Sequence, residues 1–93
     1  MTDLESAVTA ALRLSTAAAN ALLPTIQRNI STARAELIRS GVPEAQANGN
    51  DKLVEDCIIS FCLLKMGEES SRAWHEDAFR TMQDNIRKTG NNE

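Results

Sequence analysis

Residues 51–66, with the sequence DKLVEDCIISFCLLKM, form the stretch that decides the fold of this chain. Its apolar residues recur at spacings of three and four, which is the period of an α-helix. One broad side carries Leu53, Val54, Cys57, Ile58, Phe61, Cys62 and Leu64. Ile59 and Leu63 extend the apolar surface to the other side, and a helix that is apolar nearly all round is covered on several sides. The stretch therefore predicts a central helix, capped by Asn50 and ended by Gly67.

A first helix is predicted over about residues 3–12, where apolar residues form one stripe. Thr2 and Glu5 stand in the relation of a capping box, in which each side chain bonds the other residue's backbone amide. Ser15 and Thr16 then offer caps for a new helix.

A second helix is predicted up to Arg39, where Gly41 can adopt the left-handed conformation that ends helices. The sequence does not fix the first residue of this helix, because proline fits well only near a helix start and bends a helix when it lies deeper, and Pro24 lies within this stretch. Either the helix begins near residue 20 or 23, or it begins at Thr16 and bends at Pro24.

The last predicted helix covers about residues 72–88, with Ser71 as its cap. Trp74, Ala78, Met82 and Ile86 recur every four residues, which favours a core position for Trp74 over an interface position. His75 is predicted at the edge of the core. The pairs Glu76–Arg80 and Asp84–Lys88 have the favourable order for ion pairs along a helix.

The connecting segments complete an all-α prediction: one domain over residues 1–93, folded as a compact four-helix bundle with a central apolar third helix. Residues 41–50, GVPEAQANGN, read as a loop because glycine, proline and asparagine dominate them. Residues 89–93 read as a polar tail, with Gly90 ending the helix. A domain of this size has a high ratio of surface to volume and often completes its burial against copies of itself.

Composition and charge argue against two classes of function, nucleic-acid binding and membrane association. The net charge is −3 and the isoelectric point about 5.1, whereas nucleic-acid-binding domains usually carry a basic face. The longest apolar stretch, residues 57–64, is too short to span a bilayer, and no signal peptide is evident. We therefore expect the chain to be made in a reducing cytoplasm and not to associate with a membrane. We expect Cys57 and Cys62 to be buried, reduced thiols.

Catalytic and metal-binding patterns do not stand out. The chain has one histidine and no CxxC pair, and its glycines are isolated rather than grouped in a phosphate-binding loop. Neighbouring carboxylates such as Glu68 and Glu69 point to different sides and read as solvated surface. We expect no enzyme activity, no cofactor and no metal, so the function must be binding to other macromolecules.

The amino-acid sequences of several segments resemble those of one protein family. VTAALRLST (8–16), followed by LLPTIQRNISTARAELIRSGV (22–42), is similar to the opening of the small head–tail connector proteins of long-tailed bacteriophages. The apolar LVEDCIISFCLLKMG (53–67) and the aromatic-led AWHEDAFRTMQDNIRKTG (73–90) resemble that family's later helices. The resemblance covers about residues 4–90, and it includes the LRLS turn at Leu12–Ser15.

The resemblance implies a structural protein of the virion neck, made in the host bacterial cytoplasm. It would form a ring adaptor, dodecameric in the particle, between the portal and the stopper or tail-completion protein. Genomic DNA would pass through the ring's channel without specific binding. A free monomer is compatible with this reading.

Candidate partner-binding residues follow from the polar surface. Basic residues of the second helix form a face that favours subunit contacts over DNA binding, because Glu36 interrupts them. Acidic residues of a neighbouring copy and the polar tail are the expected counterparts. The candidates are Arg28, Arg34, Arg39, Glu55, Glu68, Gly90, Asn91, Asn92 and Glu93. The alternative is a small cytoplasmic helical regulator, or a DNA-binding or dimerising protein like a terminase small subunit, which calls for a basic recognition helix.

Overall fold

The computed structural model describes residues 1–91, with side-chain environments for residues 1–88. That part of the chain is all-helical and has no strand. It contains five α-helices and one 3-10 turn: α1 (Asp3–Ala11), α2 (Thr16–Arg39), α3 (Glu44–Ala47), α4 (Lys52–Met66), the 3-10 turn (Glu69–Ser71) and α5 (Arg72–Asn91).

Helix α4 is central, as predicted. It packs against α1, α2 and α5, and most of its apolar residues are buried. Its start differs slightly from the prediction, because Asp51 is the cap and not Asn50. The Oδ1 atom of Asp51 accepts hydrogen bonds from the amides of Leu53 and Val54 at 2.8 and 3.3 Å. The Leu53 side chain is 54% exposed, so the apolar side of this helix reaches solvent at its first turn.

The capping box of α1 is confirmed. The Thr2 amide donates to Glu5 Oε1 at 2.9 Å, and the Glu5 amide donates to Thr2 Oγ1 at 3.1 Å. Glu5 is buried, and its second carboxylate oxygen accepts a hydrogen bond from Gln27 of α2 at 3.2 Å. The backbone bond from Thr2 is the main reason that the pKa of Glu5 lies below its usual value. The box thereby ties the start of α1 to α2.

Helix α2 takes the earlier of its two possible starts. Ser15 caps it by accepting a hydrogen bond from the Ala18 amide at 3.2 Å, and Pro24 lies inside the helix. The predicted end is confirmed: Arg39 is the last helical residue, and Gly41 has a φ of +112°.

The predicted loop 41–50 contains the short helix α3, so the described residues hold five α-helices where four were predicted. Val42 and Ala47 are buried in the core. Arg34 of α2 donates from Nη1 to the carbonyl oxygens of Ala47 and Gly49 at 2.7 and 3.1 Å. These contacts hold the segment against α2.

Helix α5 is longer than predicted, because its backbone continues through Gly90 to Asn91. Its core residues are Phe79 and Ile86, and Met82 is half-buried. The Phe79 ring packs on Phe61 of α4. The two predicted ion pairs are present, with Arg80–Glu76 at 2.7 Å and Lys88–Asp84 at 3.0 Å.

Candidate partner-binding surfaces

The three arginines predicted to bind partners have different roles. Arg28 is exposed, as a contact residue requires. Arg34 is half-buried and donates to carbonyl oxygens of its own chain, so it holds the fold together. Arg39 is exposed and pairs with Glu36 at 2.7 Å, one helical turn away. The structure therefore does not bring these arginines together as one free basic face.

The predicted acidic and terminal residues are separated as well. Glu55 is half-buried and borders a groove between α1 and α2, whereas Glu68 is exposed at the other end of α4. Gly90 and Asn91 belong to α5, and only their backbone is among the described parts of the chain. Asn92 and Glu93 lie outside the described residues altogether.

Trp74 is the main correction to the sequence analysis. Its side chain was predicted in the core, but it is 69% exposed. It lies in the first turn of α5, where neither α1 nor α4 covers it. Its ring meets the His75 ring edge-on, with centroids 5.1 Å apart and an interplanar angle of 78°. The core position predicted for this tryptophan is therefore wrong, and the interface position stays a prediction.

His75 lies at the edge of the core, as predicted. It borders a shallow cavity with Leu12 and Arg13 of the α1–α2 turn and with Glu68. The Nδ1 atom of His75 is buried, and among the described residues it has no hydrogen-bond partner. Arg13 has a φ of +57°, which is uncommon for a residue with a side chain.

Three of these residues define one surface, which we call the aromatic edge: Glu68, Trp74 and His75. Asp77 is three residues from both Trp74 and Arg80 in α5, so it lies between the two on the helix surface and away from His75. Asp77 and Glu68 are both exposed, and no ion pair of either is seen among the described residues. Arg13 is the cation that lies near this edge.

A second surface is the groove between the end of α2 and α5, which we call the α2–α5 groove. Phe79 and Leu64 form its apolar part. Its other lining residues, which include those of a contiguous pocket at the start of α5, are Glu36, Arg39, Ser40, Lys65, Arg72, Glu76, Arg80, Gln83, Asp84 and Arg87. Five basic residues thus face three carboxylates, so the groove has a positive excess in a chain whose net charge is −3.

The carboxylates of the α2–α5 groove are already paired. The hydrogen bond from Arg39 lowers the pKa of Glu36, and the hydrogen bonds from Lys88 and then Arg87 lower the pKa of Asp84. Lys65 and Arg72 are exposed and form no ion pair within the described residues. The Lys65 ammonium group lies 5.4 Å from the centre of the Phe61 ring. These two cations remain available to a carboxylate from outside.

The predicted state of both thiols is confirmed. Cys57 and Cys62 are free and buried, and burial raises the pKa of Cys57 to about 12 and that of Cys62 to about 11. Within residues 1–91, no cluster of histidine, cysteine or carboxylate side chains has the arrangement of a metal site. No helix in that range combines the length and apolar character needed to cross a bilayer.

Comparisons with protein-family models, with curated proteins and with solved structures found no match to this chain.

Proposed function

We propose that this chain is a structural protein of a phage particle, a ring adaptor between the portal and the stopper or tail-completion protein. In this role it acts in the virion neck and extends the channel through which the genome leaves. It binds protein partners and copies of itself, and it catalyses no reaction. Its α1, α2, α4 and α5 helices form the four-helix bundle, and α3 is an addition within the connecting segment.

The exposed Trp74 is the observation that carries the proposal. A tryptophan has a large apolar surface, and tryptophan is enriched among the residues that dominate protein interfaces. Leaving 69% of this side chain in water is unfavourable unless a partner covers it. Four segments resemble head–tail connectors, and this resemblance implies which partner covers Trp74. The partner is a neighbouring copy in a ring on the portal.

The charge distribution supports passage of DNA rather than binding to it. Phosphate binding needs clustered basic residues, and affinity rises with the number of phosphates that they neutralise. In the α2–α5 groove, carboxylates stand between the basic residues and pair with several of them. A DNA-binding regulator, the alternative function, is less well supported by this arrangement.

The test is binding to the portal ring of the same phage. Purified protein is mixed with purified portal, and complexes are separated by sedimentation and viewed by electron microscopy. We expect a closed ring of this chain on one end of the portal, and no specific complex with duplex DNA at near-physiological salt. Tight DNA binding with a steep salt dependence, together with no portal binding, would favour the regulator instead.

A further inference from the structure

We infer that the α2–α5 groove binds an acidic segment of another protein, one that carries several carboxylates around an apolar side chain. The inference goes beyond the proposed function because it names the chemistry of a partner and the site that holds it. Only the biological role of the contact, docking to the portal or to the stopper, rests on the proposed function.

The groove is positively charged in a chain that is acidic as a whole. Five of its lining residues are basic and three are acidic, whereas the chain has a net charge of −3. Asp77 and Lys88 are exposed beside the groove on α5 and add one charge of each sign, so the positive excess is unchanged. An acidic segment is therefore attracted to this face of the protein, and complementary charge of this kind steers association.

Two cations at the start of the groove have no carboxylate of their own. Lys65 of α4 and Arg72 of α5 are both exposed and line the same pocket. Neither forms an ion pair within the described residues, although Glu69 precedes Arg72 by three residues. A carboxylate from a partner can bind these two cations without breaking an ion pair that the fold already contains.

The paired arginines of the groove also face outward. In the pair of Arg39 and Glu36, the arginine side chain is 76% exposed and the glutamate 34%, and in the pair of Arg80 and Glu76 the values are 71% and 45%. Among the described residues, Arg80 bonds Glu76 through Nη2 alone. Since a guanidinium group has five N–H donors in a planar fork, Arg80 retains donors for a second carboxylate.

The apolar part of the groove favours a protein segment over a nucleic acid. Leu64 is half-buried and lines the groove together with Phe79, so an apolar side chain can pack between the charged groups. A nucleic acid presents an unbroken row of phosphates, and the three carboxylates of the groove repel such a row. A protein segment can place its carboxylates at the cations and an apolar side chain at Leu64.

The length of the groove sets the length of the segment. From Arg72 to Arg87, α5 rises by about 22 Å at about 1.5 Å per residue. An extended segment of about seven residues covers that distance. A segment of this length can reach the unpaired cations at one end of the groove and the exposed arginines further along α5.

The experiment measures binding of a synthetic peptide to the native protein. The probe is a fluorescein-labelled peptide of about seven residues with glutamates on both sides of a central leucine. Fluorescence anisotropy follows its titration at low salt with about 1 µM to 1 mM protein, a range that covers weak contacts. We expect saturable binding that weakens as salt is added.

Two further probes test the chemistry of the ligand. A peptide with glutamine in place of each glutamate should bind at least about tenfold more weakly, and so should a single-stranded oligonucleotide with the same number of charges. The inference would be overturned by an absence of saturable binding of the glutamate peptide, by equal binding of the glutamine peptide, or by tighter binding of the oligonucleotide.

Matched variants then assign the binding to the groove. Lys65→Gln/Arg72→Gln removes the unpaired cations and should weaken binding of the glutamate peptide about tenfold. Arg28→Gln/Lys52→Gln removes the same charge from exposed residues outside the groove, and it should bind as the native protein does. Circular dichroism checks that both variants are folded. An equal loss in the two variants would show a general effect of net charge and would refute the site.

Charge reversal is the decisive step. The variant Lys65→Glu/Arg72→Glu makes the groove acidic, so it should prefer a peptide with lysine in place of each glutamate. A retained preference for the glutamate peptide would refute the site. Portal binding of the native protein separates the two proposals. If the portal binds but the glutamate peptide does not, the inference fails and the function stands; if the peptide binds in the groove but the portal does not bind, the function fails and the inference stands.

Discussion

The rings of Phe61 and Phe79 meet with their centroids 5.2 Å apart and their planes inclined by 58°, which joins α4 to α5 within the core. Tilted aromatic pairs at this separation add to the stabilisation that comes from burial alone. The contact also forms the underside of the α2–α5 groove, since Phe79 lines that groove and Lys65 lies over the Phe61 ring. The core and the α2–α5 groove therefore share Phe79.

Phe61→Ala should lower the free energy of unfolding by about 3–5 kcal/mol, because it removes a buried ring and leaves a cavity. Urea denaturation followed by circular dichroism measures the change. Leu53→Ala, at an exposed position of the same helix, is the control and should cost less than about 1 kcal/mol. A loss below about 1 kcal/mol for Phe61→Ala would show that α4 is not the centre of the core.

The two thiols should make the fold sensitive to alkali. The unfolded chain loses these protons near pH 9, the ordinary thiol value, whereas the folded chain holds them to about pH 12 at Cys57 and about 11 at Cys62. The contribution of the two thiols to the free energy of unfolding is complete below pH 9. It is lost as pH rises toward 11 and 12, by about 1.4 kcal/mol for each pH unit and each thiol. The Cys57→Ala/Cys62→Ala variant should lose this part of the slope and keep its fold. Equal alkaline slopes for the two proteins would contradict the burial of the thiols.

Arg34→Ala should destabilise the fold by about 1–3 kcal/mol, because the carbonyl oxygens of Ala47 and Gly49 lose a charged donor. Amide exchange in residues 41–50 should become faster. Arg28→Ala is the matched control, since this arginine of the same helix is exposed, and its effect should be within about 0.5 kcal/mol. Equal stabilities for the two variants would mean that Arg34 does not hold α3.

Pro24→Ala should stabilise the protein. Proline inside a helix lacks the amide proton for the bond to the carbonyl four residues earlier, and its ring crowds that carbonyl. Pro24 is exposed, so no packing is lost. We expect thermal unfolding to show a gain of about 1–2 kcal/mol, after allowance for the freer unfolded chain. Thr25→Ala should give only the difference in helix propensity, about 0.5 kcal/mol. A destabilised Pro24→Ala protein would show that the proline fits a bend that the fold requires.

Removing residues 89–93 should change the melting temperature little, because this segment has no apolar side chain. It should nevertheless weaken docking to the portal, since polar termini often carry contacts that form only with a partner. Co-sedimentation with the portal measures the difference, and removal of Met1 is a control at the other terminus. If the shortened protein docks as well as the intact one, Gly90, Asn91, Asn92 and Glu93 are not partner-binding residues.

The amino-acid sequence by itself determined the helical class and the central position of residues 52–66. It also determined the capping box at Thr2 and Glu5 and the helix end at Gly41. These features depend on neighbours one to four residues apart, where hydrophobic period, capping and backbone freedom act directly. The same local rules placed both thiols in the core and the two ion pairs on α5.

Only the tertiary structure decided how Trp74, Arg34 and Pro24 are used. Trp74 continues the apolar stripe of α5, but its burial depends on whether another helix covers the first turn, and none does. Arg34 lies on a polar stripe, yet the folded segment 41–50 brings two carbonyl oxygens to it. Pro24 is tolerated inside α2 because the helix is held on both sides of it by Ala19, Ile26 and Ala33 in the core. In each case the outcome depends on how the helices pack against one another, and the pattern of residues along one helix does not contain that information.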